Sequence, residues 1–288
     1  MRISRFEDYE LLDTSSGEKL ERFGNIILIR PDPQIIWNTP KVHPLWQNAH
    51  ARYIRSKSGG GHWEVYKKIP EVWTIRYKNL KFRLKPMGFK HTGIFPEQAT
   101  NWDFIYDKVS KSKRKLKILN LFAYTGGATL AALSAGAEVC HVDASKGMTL
   151  WAKENVRESN LQNGNVRFLV DDCLKFVQRE KRRGHFYDGI IMDPPSYGRG
   201  PGGEVWKLED NIFDLLNACS EIFSKNASFF ILNSYSAGLS APVMEYILNV
   251  TIAHNRKGIV SSSEIGLPVS LNNLVLPCGS TAIWQNIT

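Results

Sequence analysis

Four short groups of residues in this chain have the types and spacing to do chemistry, and each follows an apolar run. Residues 118–123 lead into Tyr124, Thr125, Gly126 and Gly127. Residues 138–142 end on Asp143, residues 166–170 on Asp171 and Asp172, and residues 187–192 on Asp193, Pro194, Pro195, Ser196 and Tyr197. Glycine lacks a Cβ and tolerates positive φ, so Gly126 and Gly127 let a backbone approach a ligand closely, or simply shape a turn. The pair is not a G-x-G-x-x-G fingerprint, so a pyrophosphate-binding turn is unsupported. An acid at the end of a second strand, here Asp143, suits a ribose diol. It could equally cap the following helix, a role that Ser145 could take instead. Asp171 or Asp172 is placed to receive an adenine amino group or to cap a helix.

These groups need a scaffold that presents them along one edge. The apolar runs read as buried strands, and the good helix formers after Gly127 as a helix. Strands alternating with helical segments mean βαβ units and a parallel sheet, whose ligands bind outside the carboxyl ends of the strands where strand order switches. Further on, 208–223 reads as an amphipathic helix, 228–232 as a fifth strand, 241–254 as a helix and 281–285 as the final strand.

The front of the chain has a different character. Residues 1–40 read as short strands joined by turns, including the apolar run 26–29 that stops at Arg30, Pro31, Asp32 and Pro33. Residues 41–60 are rich in aromatic, His and basic side chains and end in Ser58, Gly59, Gly60 and Gly61, which read as a loop tip. In 72–85, Trp73, Ile75 and Tyr77 alternate with Thr74, Arg76 and Lys78, and Leu80, Phe82 and Leu84 with Lys81, Arg83 and Lys85. A hairpin turning at Lys78 and Asn79 pairs Tyr77 with Leu80, Ile75 with Phe82 and Trp73 with Leu84, all on one face. The opposite face carries Arg76, Lys78, Lys81, Arg83 and Lys85, with Arg76 against Lys81, a like-charge pair that costs stability. A phosphate backbone would call for that face; so would a solubilising edge. Residues 86–105 form a turn-rich bridge, and the domain boundary is expected near 105: a small basic β-rich domain at 1–105 and a catalytic domain at 106–288.

Composition and charge narrow the class. The 288 residues suffice for one large domain or two modest ones. Residues 1–115 hold 22 Lys and Arg against 12 Asp and Glu, a surplus of +10; residues 116–288 hold 15 against 16, or −1. Such asymmetry points to a polyanionic partner or to a solvated basic face. Cys140, Cys173, Cys219 and Cys278 are scattered, which argues for neither a disulfide framework nor a zinc site; no metal is expected. Cys140 and Cys219 read as core filler. No apolar run is long enough to span a bilayer and no leader is evident, so a cytoplasmic protein is expected.

The order strand–FAYTGG–helix, strand–Asp143, strand–Asp172 and strand–DPPSY resembles the class I S-adenosylmethionine-dependent methyltransferases. More narrowly it is similar to the bacterial large-subunit rRNA cytosine methyltransferases over residues 90–200, and GEKLERFGNIILIRPDPQ at 17–34 resembles an uncharacterised subgroup of that family. The resemblance implies a Rossmann-like α/β fold with a seven-stranded, mostly parallel sheet, helices on both faces and an antiparallel last strand. It implies S-adenosylmethionine as cofactor and RNA, chiefly rRNA, as partner. Phe122, Ala123, Tyr124, Thr125 and Gly126 would line the cofactor; Asp143, with Ala144 and Ser145, would hold the ribose and Asp172 the adenine. Phe95 and Gln98, within GIFPEQ, would close over it. Asp193, Pro194, Pro195 and Tyr197 would face the methyl group and target base. Asp193 would accept a hydrogen bond from the base, the two prolines would fix a stiff loop without backbone donors, and Tyr197 would stack.

The chain departs from that family in one respect. Carbon-5 of cytosine needs a cysteine to add to the ring first, and the segment after the fifth strand reads Asn233, Ser234, Tyr235 and Ser236 instead. Cys278, near the chain end, is the candidate left. Methyl transfer to a ring or exocyclic nitrogen of a flipped base is therefore expected. The competing classes are a small-molecule or protein methyltransferase, a nucleotide-dependent oxidoreductase, and a non-catalytic RNA-binding protein.

Overall fold

The structure is a computed structural model that describes residues 1–56, 60–200, 202–236 and 238–287. Ser58 and Gly59 of the expected loop tip lie outside the described residues, as does Lys57. The chain divides into two compact units: Ile3–Ala99 with Gly266–Cys278, and Met1–Arg2 with Thr100–Ile265 and Gly279–Thr288. The division thus falls at 99/100, and 266–278 groups with the front residues.

In the front unit, β1 (Tyr9–Ser15), β2 (Glu18–Phe23), β3 (Ile26–Pro31), β4 (Ala51–Arg55) and β5 (Gly61–Val65) form a sheet in that order. Leu12, Leu20, Ile27, Ile29, Trp46 and Ala49 cluster as its core. A buried ion pair crosses it. Arg30 donates to both oxygens of Glu21 at 2.6 Å, and Tyr9 adds a hydroxyl bond of 2.9 Å. Burial pushes the Glu21 carboxyl up, but Arg30 and Lys19 outweigh it and hold it below the ordinary range.

Hairpin β6 (Trp73–Tyr77) and β7 (Leu80–Leu84) has the register expected from alternation: Tyr77 opposes Leu80, Ile75 Phe82, Trp73 Leu84 and Arg76 Lys81. Ile75, Tyr77, Leu80, Phe82 and Leu84 are buried. Lys78 takes the left-handed conformation at the turn (φ 53°). The Arg76–Lys81 repulsion has a counterweight that the hairpin alone does not contain. Asp8 accepts from the Arg76 backbone N–H at 2.8 Å and lies 3.5 Å from its guanidinium.

The second unit holds α1 (Ala99–Ser110), most of which belongs to it, β8 (Lys117–Leu121), α2 (Gly127–Ser134), β9 (Glu138–Asp143), α3 (Lys146–Glu158), β10 (Val166–Val170), α4 (Cys173–Arg183) and β11 (Gly189–Met192). Then come the short β12 (Tyr197–Arg199) and β13 (Val205–Lys207), α5 (Leu208–Glu221), β14 (Phe229–Ser234), α6 (Ala241–Val250), and most of β15 (Ile259–Pro268) and β16 (Val275–Gln285). The seven-stranded sheet runs β10-β9-β8-β11-β14-β16-β15. β10, β9, β8, β11 and β14 run parallel to one another, and β16 pairs antiparallel with β14.

Strand alternation divides the core between the two faces. On one, Leu119, Leu121, Ile190 and Met192 pack with Phe176 of α4, Leu215 of α5 and Leu248 of α6. On the other, Phe229 meets Phe104 of α1 edge-on, while Asn120, Thr129 of α2 and His141 form a buried hydrogen-bonded chain. The doubly covered α/β fold expected from the sequence is therefore present. α1 and the edge strand β15 were not expected: 99–105 read as part of a bridge, yet Trp102, Ile105 and Val109 point inward at helical spacing. Among the described residues no helix is long and apolar enough to cross a membrane.

Candidate active site

Strand order reverses between β8 and β11. The loops after those two strands are 122–126 and 193–197, so the two groups expected to serve cofactor and acceptor flank the switch point, where open α/β sheets bind ligands.

The 122–126 loop is held in an unusual shape. Phe122 (φ 53°), Tyr124 (φ 51°) and Gly126 (φ 89°) are all left-handed. For Phe and Tyr this costs on the order of 1–3 kcal/mol each, and it persists only where surroundings impose it. Several contacts do so. The Tyr124 N–H donates to Asp143 Oδ2 at 2.8 Å, Asn155 Nδ2 of α3 donates to the Thr125 carbonyl at 2.9 Å, and the Ala123 N–H reaches the Val142 carbonyl at 3.1 Å. Gly127 leaves no room for a side chain, since a Cβ there would lie 2.5 Å from the Trp102 ring of α1.

Asp143 ends β9 half-buried. Its second oxygen accepts the Ser145 N–H at 2.8 Å. Ser145 in turn caps α3 by accepting from the Met148 N–H at 3.3 Å, so the cap is Ser145 and the Asp143 carboxylate is left to tie two loops together. Burial pushes the Asp143 carboxyl up, against the pull of the Ser145 and Tyr124 N–H bonds. Ala144 lies between them, half-buried. At the end of β10 the two acids divide the work. Asp172 caps α4 by accepting the Lys175 N–H at 2.8 Å, and Asp171 pairs with Arg179 one turn and more into the helix.

Beyond β11, Asp193 is half-buried, Pro194 buried, and Tyr197 55% exposed. Tyr197 opens β12, which pairs with β13, and this small hairpin carries a residue that the sequence pattern did not single out. Trp206 donates its indole N–H to the Pro195 carbonyl at 2.6 Å and packs on Phe122 with ring centroids 5.0 Å apart. Its signal in the sequence was an aromatic shortly after DPPSY, followed by a helix. Beneath the same loop runs a polar chain. Arg2 donates to Asn101 at 3.1 Å, Asn101 to Asn233 at 2.8 Å, and Asn233 to the Met192 carbonyl at 3.5 Å.

Phe95 and Gln98 belong to the front unit, where Phe95 precedes the short turn Pro96–Gln98 and Gln98 is buried. The hairpin cations Arg76, Lys78, Lys81, Arg83 and Lys85 belong to that unit as well. All four cysteines are free and buried. Burial raises the thiol of Cys140 to about 11, with Arg167 and a bond from Tyr187 opposing, and lifts Cys173, Cys219 and Cys278 further. Among the described residues no three His, Cys, Asp or Glu side chains cluster as metal ligands.

A family model described as S-adenosylmethionine-dependent methyltransferase matches residues 44–221. The chain belongs to that family. Over 99% of its length it is similar to a solved SAM-dependent methyltransferase from Agrobacterium tumefaciens (37% identity, 93% of that chain, TM-score 0.93). A candidate methyltransferase solved in complex with SAH shares the fold (18% identity, 98% of this chain and 76% of that one, TM-score 0.74). Among curated proteins, ribosomal RNA large subunit methyltransferase K/L of Shewanella frigidimarina is 29% identical over 241 residues, 81% of this chain and 32% of the relative. The chain thus spans about a third of the length of that relative.

The methyltransferase uses S-adenosylmethionine, and the strand ends fit it. Each Asp143 oxygen is bonded once to backbone, leaving lone pairs on a half-exposed carboxylate for a diol. The left-handed loop keeps its backbone close to the strand end, with no side chain at Gly126 or Gly127 to obstruct it. Because Gly127 abuts Trp102, Gly127→Ala should destabilise the protein by about 1–3 kcal/mol through overpacking. Urea unfolding of the two proteins measures it; equal midpoints would show that the α1–α2 contact gives way freely.

Proposed function

We propose that this methyltransferase transfers a methyl group to a nitrogen of a base in RNA, with rRNA as the target. The observation that carries this reading is the chemistry of the 193–197 loop. Pro194 and Pro195 have no N–H, so beside them the loop meets an acceptor base with the Asp193 carboxylate. Such a surface receives hydrogen-bond donors such as a base amino group, while Tyr197 supplies a ring on which a flipped base can stack, worth about 1–3 kcal/mol. S-adenosylmethionine supplies an already activated methyl group, so the protein's task is to align the nitrogen and exclude water. The four buried, raised thiols give no support to a covalent cysteine route. The basic hairpin and the rRNA named by the curated relatives support RNA over a small molecule or a protein. Work on rRNA would place the protein in the cytoplasm.

In the same reading Phe122, Ala123, Tyr124, Thr125 and Gly126 line the cofactor, Asp143 with Ala144 and Ser145 holds the ribose hydroxyls, and Asp172 keeps acceptor capacity for adenine beyond its cap bond. Mass spectrometry of rRNA nucleosides from cells lacking the gene tests the function. One N-methylated nucleoside should be missing, restored by the wild-type gene but not by Asp193→Ala. An unchanged nucleoside profile, or a missing 5-methylcytidine, would count against it.

The ribose role has a pH signature. A carboxylate with a raised pKa accepts a proton at higher pH than an ordinary aspartate and then loses acceptor capacity. Calorimetric affinity for S-adenosylhomocysteine should therefore begin to fall, as pH drops, above the usual aspartate range. Asp143→Asn should weaken binding by about 1–3 kcal/mol at neutral pH and remove that dependence.

The RNA role of the hairpin has a salt signature. Changing Arg76, Lys81 and Arg83 together to Gln should weaken rRNA binding and flatten its log–log salt slope by about two to three units, at roughly 0.7 to 0.9 per lost phosphate contact. S-adenosylhomocysteine affinity should hold, because none of the three is assigned to the cofactor. An unchanged slope would leave the hairpin as a solubilising edge.

A further inference from the structure

Trp206 touches both loops that flank the switch point, and no motif includes it. Its indole is a donor without acceptor capacity. It spends that donor on the Pro195 carbonyl at 2.6 Å, inside the acceptor loop, while its ring lies against Phe122 in the cofactor loop, with centroids 5.0 Å apart and planes inclined by 53°. We propose that Trp206 is a positioning residue that couples filling of the cofactor loop to alignment of the acceptor loop. The proposal rests on the reading given above, in which 193–197 faces the acceptor base.

Three observations carry it. First, the acceptor loop contains two consecutive prolines, which bring no N–H groups to bind it back to the sheet, and two of its carbonyls are fixed by donors from outside. The Trp206 indole fixes Pro195, and the Leu208 N–H fixes Ser196 at 3.0 Å. Both donors come from β13 and the start of α5, so the acceptor loop is set by where that hairpin lies.

Second, the hairpin's tie to α4 is weak. Its turn carries Gly200, Gly202 and Gly203, and it reaches α4 through the exposed Lys175–Glu204 ion pair, a kind of contact that contributes little. The hairpin is therefore placed by Trp206 together with its direct run into α5, whose Leu208 is buried. On the facing strand Trp206 is opposed by Gly198, whose missing side chain keeps the inner side of the ladder thin.

Third, Phe122 is held at φ 53°, a conformation that a phenylalanine keeps only under constraint. A cofactor lying along 122–126 adds to the constraint, and a loop without one has less reason to stay there. Any shift of Phe122 moves the ring against which Trp206 rests, and with it the donor to Pro195. Coupling of this kind is reciprocal: if the cofactor favours the aligned acceptor loop, an RNA engaged on that loop must tighten the cofactor by the same factor.

The test uses the full chain, S-adenosylhomocysteine and rRNA extracted from cells lacking the gene. Calorimetry measures S-adenosylhomocysteine affinity with and without saturating rRNA, and tritium transfer from S-adenosylmethionine gives kcat and KM. Trp206→Phe keeps a ring beside Phe122 and removes the donor. For the wild type, rRNA should tighten S-adenosylhomocysteine at least fivefold. In Trp206→Phe the affinity without RNA should stay within twofold, the tightening should drop below twofold, and at saturating rRNA kcat should fall at least tenfold while the cofactor KM rises by no more than the lost tightening. Phe122→Leu, which alters the other side of the contact, should lose the tightening as well, so a poorly folded Trp206 variant does not decide the matter alone.

A Trp206→Phe protein that keeps both the tightening and kcat would overturn the proposal and leave Trp206 as packing. So would a wild type that methylates rRNA with no effect of rRNA on cofactor affinity. A wild type that neither binds nor methylates rRNA would overturn the RNA reading itself, and the coupling with it.

Discussion

The Asp143 carboxylate is the interaction on which the methyltransferase unit depends. One oxygen holds Tyr124 and the other Ser145, so a single side chain joins the loop after β8 to the loop after β9. Without it the left-handed Tyr124 loses an N–H partner at the point where its backbone is most strained. The cost is visible in the carboxyl itself, which burial pushes up despite two N–H bonds. A group that is structurally committed on one side and still half-exposed on the other is well suited to bind a diol, because its orientation is fixed before the ligand arrives. The same arrangement explains why Ser145, rather than Asp143, caps α3.

The loop after β11 follows the opposite logic. Where the cofactor loop is tied down by donors and acceptors of its own backbone, Pro194 and Pro195 bring no N–H to theirs, and neighbours help to locate it. Asn233 approaches from β14, backed by Asn101 and Arg2, and Trp206 from β13. The segment 233–236, where the resemblance points to a cysteine, begins inside β14 and opens with a buried amide bonded at both ends. A side chain so engaged can neither ionise nor add to a ring, and this agrees with a reaction that needs alignment rather than a nucleophile.

How much of this was legible in sequence follows from which signals are local. The β6–β7 register was readable to the residue because side-chain alternation leaves one answer once a face must be buried. β8 to β11 were readable as apolar runs ending on chemistry-bearing residues, and with them the α/β fold. α1 was missed because it follows straight on the turn at Pro96–Gln98 and mixes Asn, Asp and Lys among Trp102, Ile105 and Val109. β15 was missed because an edge strand reading Ser261, Ser262, Ser263 and Glu264 buries little until Ile265. Whether Asp143 or Ser145 would cap α3, and that Trp206 would reach Pro195, are decided by three-dimensional placement that no spacing rule encodes.

Charge in the front unit shows the same division between local pattern and placement. Its acids largely have assigned partners: Glu21 binds Arg30, Glu18 binds Lys41 and Arg52, Asp32 meets Lys19, and Glu10 binds Arg22. Residues 73–85 contain no acid and five cations. Cross-strand geometry there brings Arg76 against Lys81, and the chain supplies Asp8 beside Arg76. A sheet edge kept charged only to stay soluble needs neither directly opposed cations nor an acid recruited to soften them; alternating signs would serve better. On the proposed RNA reading this face needs cations close together, and an acid beside Arg76 lowers the cost of holding it there before the polyanion binds.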